Sequence, residues 1–366
     1  EAIKLAPVVH ELRRRSVATR VLLTGQHDEL VEQLLTPLGL SDVPTTHLGA
    51  TGRSRELNEL LSQLLNAFDA HLRVSAPALV LVQGDTTSAL GGALASFHRG
   101  VPVGHVEAGL RSHRMDSPFP EEMNRSVISR VARWHFCPTT LAATDLTAEG
   151  VAPETIEVTG NTGIDTLRQL LNDSVGRSAF SNNEPGLKVL VTLHRRENQG
   201  TTMIALGRTL ADTARTLTLN VVLPIHPSPS VREALLAGLG ESPFVRVIEP
   251  LDYVDFIATL RDADIAVTDS GGVQEEAPSL DTPLLVIRNT TERPEALEVG
   301  AARLVGTNPE DLRRHLYELA TSAAARRLMT GHANPYGDGR AAERIVTRLL
   351  ADNPSLADVS TPGGCA

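Results

Sequence analysis

Short apolar runs of Val, Leu and Ile alternate with stretches of helical periodicity along almost the whole chain, the signature of parallel sheets built from βαβ units. Strands are predicted at 20–23, 78–82, 101–105, 134–137 and 155–158, and the scheme repeats at 188–192, 220–224, 245–248, 265–268, 284–287 and 303–305. The fold class that follows is α/β, with two Rossmann-like, doubly wound parallel-sheet domains. A polar, turn-rich stretch, SVGRSAFSNNEPG at 174–186, separates them. One domain is therefore expected at 1–173 and the other at 174–339, with an amphipathic terminal helix at 340–352 joining the first. The opening EAIKLAP reads as a helix already under way that Pro7 interrupts, and the polar, Pro- and Gly-containing tail at 353–366 reads as disordered.

Composition narrows the classes of function. A length of 366 residues exceeds what one hydrophobic core usually organises. With 41% hydrophobic residues but only 3% aromatics, the apolar runs suit strands covered on both faces by helices. The formal charge of -10 argues against a nucleic-acid or anionic-membrane surface, so an anionic ligand must meet a local basic cluster. No apolar stretch reaches the roughly 20 residues that span a bilayer and no signal-peptide pattern opens the chain, so a soluble cytoplasmic protein is expected. Cys137 and Cys365 support neither a disulfide framework nor a metal site.

Open α/β sheets bind ligands beyond the carboxyl ends of their strands, and two such sheets facing across a cleft would share that edge. Polar residues cluster at those positions. In IAVTDSGGVQEEA at 265–277 a strand ends, two glycines follow and a helix begins, which leaves free N–H groups to face an anion at Ser270, Gly271 and Gly272. Glu275 and Glu276 stand one turn on, where one could hold ribose hydroxyls. Asp85 follows a strand in GDTT, and Glu107 follows another in HVEAGLR, where a period of two places it on the face of His105. That His-x-Glu also opens the zinc-deaminase signature, but the accompanying Pro-Cys-x-x-Cys is absent and no metal is expected. SPFPEEMNR at 117–125 adds carboxylates behind two prolines. His194, Arg195 and Arg196 end a strand in the second half, suited to a phosphate or leaving group, and Arg293 follows another. Each carboxylate taken singly is more often a cap or an ion-pair partner than a catalyst; their recurrence after strands raises the odds. There is no G-x-G-x-x-G opening a βαβ unit, no P-loop and no G-x-S-x-G elbow.

Taken in order, EAIKLAP, GDTT, HVEAGLR, SPFPEEMNR, VTGNT, HRREN, EPLDY, TDSGGVQEEAPSL, TTERPEA and NPYGDG resemble the non-hydrolysing UDP-N-acetylglucosamine 2-epimerases over nearly the whole chain. The resemblance implies a GT-B fold and interconversion of UDP-GlcNAc and UDP-ManNAc, through loss of UDP to 2-acetamidoglucal and its re-addition, with no cofactor. It further implies a homodimer. Matched position by position, Asp85, Glu107 and Glu121 form the acid/base pool and His194 acts on the leaving diphosphate. Lys4, Arg125, Arg195, Leu251, Ser270, Gly271, Gly272 and Arg293 hold the substrate, with Phe256 against the uracil and Glu276 on the ribose. Family members begin with a strand and Gly-Thr-Arg-Pro before the EAIK; here that strand and its arginine are expected to be lacking and the fold compromised. Gln26, Glu29 and His226 match a possible effector site, but Ser54 stands where an arginine would serve the effector diphosphate, so weak activation is expected. The alternatives are a GT-B glycosyltransferase, a hydrolysing 2-epimerase, a 2-epimerase for a modified UDP-GlcNAc, and a sensor that binds without turnover.

Overall fold

In a computed structural model, which describes residues 1–25, 34–49, 56–173, 176–181, 185–195 and 198–356, helix α1 (Ala2–Arg14) runs without a break through Pro7. Proline lacks the N–H that would bond the carbonyl four residues back, so an orphaned acceptor is expected at Ile3. The Thr166 hydroxyl donates to that Ile3 carbonyl at 2.6 Å. The expected interruption is thus corrected: a side chain from elsewhere takes the place of the missing donor, and the apolar face of α1, with Val8 and Leu12, stays buried.

The chain divides into two units, Glu1–Arg168 with Tyr336–Ala366, and Gln169–Pro335. In the first unit β1 (Val21–Leu23) pairs in parallel with β2 (Thr45–His47), a strand that the hydrophobic pattern did not reveal because Thr-Thr-His carries no apolar run. Helix α2 (Leu57–Ser75) follows. A second, four-stranded parallel sheet runs β3 (Val80–Gln83), β4 (Val103–Val106), β5 (Trp134–Cys137), β6 (Ile156–Val158), with α3 (Thr87–His98), α4 (Glu121–Val131) and α5 (Thr140–Ala148) between. Leu22 of β1 and Val80 of β3 both pack on the Leu60, Leu64, Phe68 and Leu72 face of α2. Helix α6 (Thr162–Asn172) comes next.

The C-terminal helix Ala341–Asp352 returns to the first unit, burying Ile345, Val346 and Leu349 with Trp134 and Phe136. Each such side chain stabilises by about 1.5–3 kcal/mol. The Trp134 indole N–H donates to Asp352 at 2.7 Å. The tail expected to be disordered from Asn353 forms one further turn, Pro354–Leu356, because Leu356 is buried in the same cluster. Cys137 is a free, buried thiol; burial pushes its pKa up to about 12, which leaves it inert.

The second unit is one six-stranded parallel sheet. Its strands are β7 (Lys188–Thr192), β8 (Asn220–Pro224), β9 (Val245–Ile248), β10 (Ile265–Thr268), β11 (Leu284–Val286) and β12 (Ala302–Leu304), in the spatial order β9-β8-β7-β10-β11-β12. The helices are α7 (Thr201–Leu217), α8 (Pro229–Leu239), α9 (Tyr253–Asp262), α10 (Gly271–Glu276), α11 (Glu295–Glu298), α12 (Pro309–Thr321) and α13 (Ala323–Arg327). That order is the doubly wound Rossmann arrangement, whose order reverses between β7 and β10. Val189, Val191, Val221, Leu223, Ile265 and Val267 alternate into its core. At the switch point Thr192 pairs with Thr268, and their hydroxyls bond at 2.6 Å, so the two following loops leave the sheet at one level.

Candidate active site

In the first unit the acidic residues collect at the carboxyl ends of β3 and β4, where Gln83 pairs with Val106 and the chain turns away on both strands. Gly84 takes a φ of +71°, and its carbonyl accepts the Nε2–H of His105 at 2.8 Å. His105 is fully buried, and desolvation lowers its pKa to about 3, so it stays neutral and pins the turn. Asp85 follows: its carbonyl accepts from the Asn124 amide at 2.8 Å and its carboxylate lies 3.3 Å from Arg125. Glu107 has a φ of +65°, so strand alternation ends at Val106 and the period-two reading does not extend to it. Its carboxylate takes donors from Lys4 and Gln83, with the Asn161 amide at 3.5 Å.

Helix α4 sorts the consecutive carboxylates of SPFPEEMNR. Glu122 is 2% exposed and accepts the backbone N–H groups of Ser112 and His113, each at 3.0 Å, while lying 3.2 Å from Arg125. Glu121, half-buried in the first turn of α4, points elsewhere on the helix, and its carbonyl rather than its carboxylate receives Arg125 Nε at 3.4 Å. The structure therefore links Asp85 to the helix of Glu121 through Arg125, and Lys4 to Glu107.

In the second unit the loops after β7 and β10 meet. His194 and Arg195 donate their backbone N–H groups to the carboxylate of Asp269, at 3.0 and 2.9 Å. The His194 ring stacks on His226, which follows β8, at 5.4 Å between centroids and 13° between planes. Ser228 N–H donates to His226 Nδ1 at 3.1 Å, which leaves its proton on Nε2. Beside them Arg195, Arg288 and Arg293 surround Glu292: Arg288 bonds it at 2.8 Å, Arg293 bonds it through Nη1, and Arg195 stands at 3.8 Å. Arg293 also bonds Glu275 at 2.6 Å. Its guanidinium lies so close over Gly271 that a Cβ there would come within 2.8 Å of Nη1, whereas a Cβ at Gly272 would meet only the Ser270 hydroxyl, at 4.0 Å. Ser270 N–H donates to Thr268 Oγ1 at 3.0 Å.

Comparison with known proteins gives the family of the chain. The sequence pattern of a family described as UDP-N-acetylglucosamine 2-epimerase matches residues 10–350. The UDP-N-acetylglucosamine 2-epimerases of Bacillus subtilis and Escherichia coli K12 are each 40% identical, over 96% and 97% of this chain and 92% and 97% of theirs. The chain belongs to the UDP-N-acetylglucosamine 2-epimerase family. A crystal structure of the Neisseria meningitidis UDP-GlcNAc 2-epimerase, bound to UDP-GlcNAc, superposes with a TM-score of 0.89 at 35% identity, covering 96% of each chain. A UDP complex of Staphylococcus aureus MnaA gives 0.87 at 37%, over 96% of this chain and 94% of that one.

For a family member the remaining expected residues fall as follows. Phe256 lies half-buried on α9, one turn from Tyr253, whose hydroxyl donates to Glu276 at 2.9 Å; Leu251 precedes that helix, half-buried. Burial raises the Tyr253 pKa well above the ordinary phenol range, so it remains a donor. Gln26, Glu29 and Ser54 lie outside the described residues, as does Arg196; His226 is exposed beside His194. Among the described residues no group of three His, Cys, Asp or Glu side chains is placed to hold a metal, and no helix is long and apolar enough to cross a membrane. Sequence reasoning missed Arg288, Glu292, Asp269, Asn198, Glu122 and Tyr253 as contributors. Arg288 was findable, as the first basic residue after an apolar strand; the others are named only by their contacts.

Proposed function

We propose that this chain inverts carbon 2 of UDP-N-acetylglucosamine, converting it to UDP-N-acetylmannosamine and back. The observation that carries this, beside family membership, is the gathering of His194, Arg195, Arg288 and Arg293 at the switch point of a Rossmann sheet, a site built for a diphosphate leaving group. The C1–O bond breaks with its electron pair leaving on UDP, a carboxylate takes the carbon-2 proton, and 2-acetamidoglucal results. Re-addition returns UDP to C1 and a proton to the opposite face of C2, so atoms and charge balance. Proton transfer falls to Asp85 and Glu121. Glu107, gripped by Lys4 and Gln83, suits an orienting role and steadies the oxocarbenium-like centre at C1. Phe256 stacks on the uracil and Glu276 binds the ribose.

The test is an NMR time course on UDP-GlcNAc in deuterated water. UDP-ManNAc carrying deuterium at C2 is the expected product. Free ManNAc would mean hydrolysis, turnover only with an acceptor would mean a transferase, and saturable binding without product would mean a sensor. His194→Ala should release free glucal; normal rate without glucal would remove His194 from the leaving-group role. A homodimer in the cytoplasm is the expected form, and sedimentation as a monomer would count against it.

A further inference from the structure

A fully buried, heavily bonded carboxylate in the second unit belongs to a residue with no part in the chemistry above. Asp269 is 0% exposed at the end of β10. It accepts the His194 N–H on both oxygens at 3.0 Å, the Arg195 N–H at 2.9 Å and the Asn198 side-chain amide at 2.9 Å. Its own carbonyl accepts Arg195 Nε at 3.3 Å. Asn198 continues the chain of contacts by donating to the Ile287 carbonyl at 3.2 Å, after β11. None of these bonds caps α10, whose N-cap is Ser270. All of them bind the loop that follows β7. A buried carboxylate is costly unless donors satisfy it, and here His194, Arg195 and Asn198, all from that one loop, supply them.

We infer that Asp269 is a positioning residue that locks His194 and Arg195 into one rigid pair at the switch point of the sheet. It rests on the proposed function only in what the pair then acts upon, a diphosphate leaving group. The two residues are successive, so without the carboxylate their backbone N–H groups would be free to turn, and ring and guanidinium would turn with them. Asp269 also stands 3.7 Å from His194 Nε2. Burial lowers the pKa of His194, Asp269 opposes that, and His226 and Arg195 lower it further. Among the described residues, those are the charged or titratable groups that face the ring, from β10, from the loop after β8 and from its own loop.

Asp269→Asn keeps the shape but turns an amide donor toward donors, and it removes the charge. The full-length variant should lose about a hundredfold in kcat, the scale of a misplaced reacting group. In histidine-labelled protein its His194 resonance, assigned by comparison with His194→Ala, should titrate at lower pH than in the wild type. A purely structural Asp269 would lower the melting temperature while leaving kcat per folded molecule and the His194 titration unchanged, and that result overturns the inference. If Asp269→Asn does not fold, Asn198→Ala removes one donor while keeping the charge; it should lower kcat several-fold and leave the His194 midpoint in place, and wild-type kcat there overturns the inference equally. If the wild type itself makes no UDP-ManNAc, the proposed function fails, and the His194 titration in Asp269→Asn still decides the role of Asp269.

Discussion

Replacing Glu292 by glutamine tests how the three arginines of the second unit are held together. Burial alone would raise the pKa of this carboxylate, but Arg293 and Arg288 outweigh burial and hold it at about 2, against 4.5 for a free glutamate. A depression of that size corresponds to about 3 kcal/mol of folding stability, since each pKa unit is worth about 1.4 kcal/mol. Losing one partner of a buried ion pair costs about 3–5 kcal/mol, which agrees in scale. Because the folded pKa lies below the unfolded one, the contribution is complete above pH 4.5 and is lost as the pH falls toward 2. Urea unfolding of wild type and Glu292→Gln, at a series of pH values, should therefore show a gap of about 3 kcal/mol at pH 7 that closes through the acid range. A gap that stays constant with pH would mean that glutamine merely packs badly. No gap at all would refute the ion-pair argument.

Glu121→Gln and Asp85→Asn should each retain UDP binding, measured by calorimetry, while turnover falls by about 100-fold or more. Near-native turnover would remove that residue from the acid/base set. Phe256→Ala should weaken UDP and UDP-GlcNAc together by about 1–3 kcal/mol if the ring stacks on a base; a fall in melting temperature with unchanged affinity would make it a packing residue. Gly271→Ala should displace the flexible end of Arg293 rather than the backbone, so affinity for UDP should drop while the melting temperature changes little. The reverse pattern would show that Arg293 does not serve the ligand.

The strand-helix alternation along the sequence was enough to establish two parallel α/β units, because strands buried on both faces need continuous apolar runs and helices leave a 3.6-residue period. The same logic located polar residues after β3, β4, β7, β10 and β11, since ligands bind beyond the carboxyl ends of such strands. It failed where local pattern and tertiary context differ. Thr45–His47 forms a strand with no apolar run, because its backbone pairs with β1. Pro7 sits inside a helix because Thr166, distant in sequence, satisfies the carbonyl that proline strands. Glu121 and Glu122 are chemically identical neighbours, as are Glu275 and Glu276, and periodicity and spacing give no means of ranking either pair; only the family resemblance singled out Glu121 and Glu276. The fold gives them different partners: Glu122 accepts from the backbone of Ser112 and His113 and Glu275 from Arg293, whereas Glu276 accepts from Tyr253. Asp269 reads as one more strand-end carboxylate until the loop after β7 closes on it. Such differences in partners depend on donors brought from elsewhere in the chain, and only the folded chain supplies those.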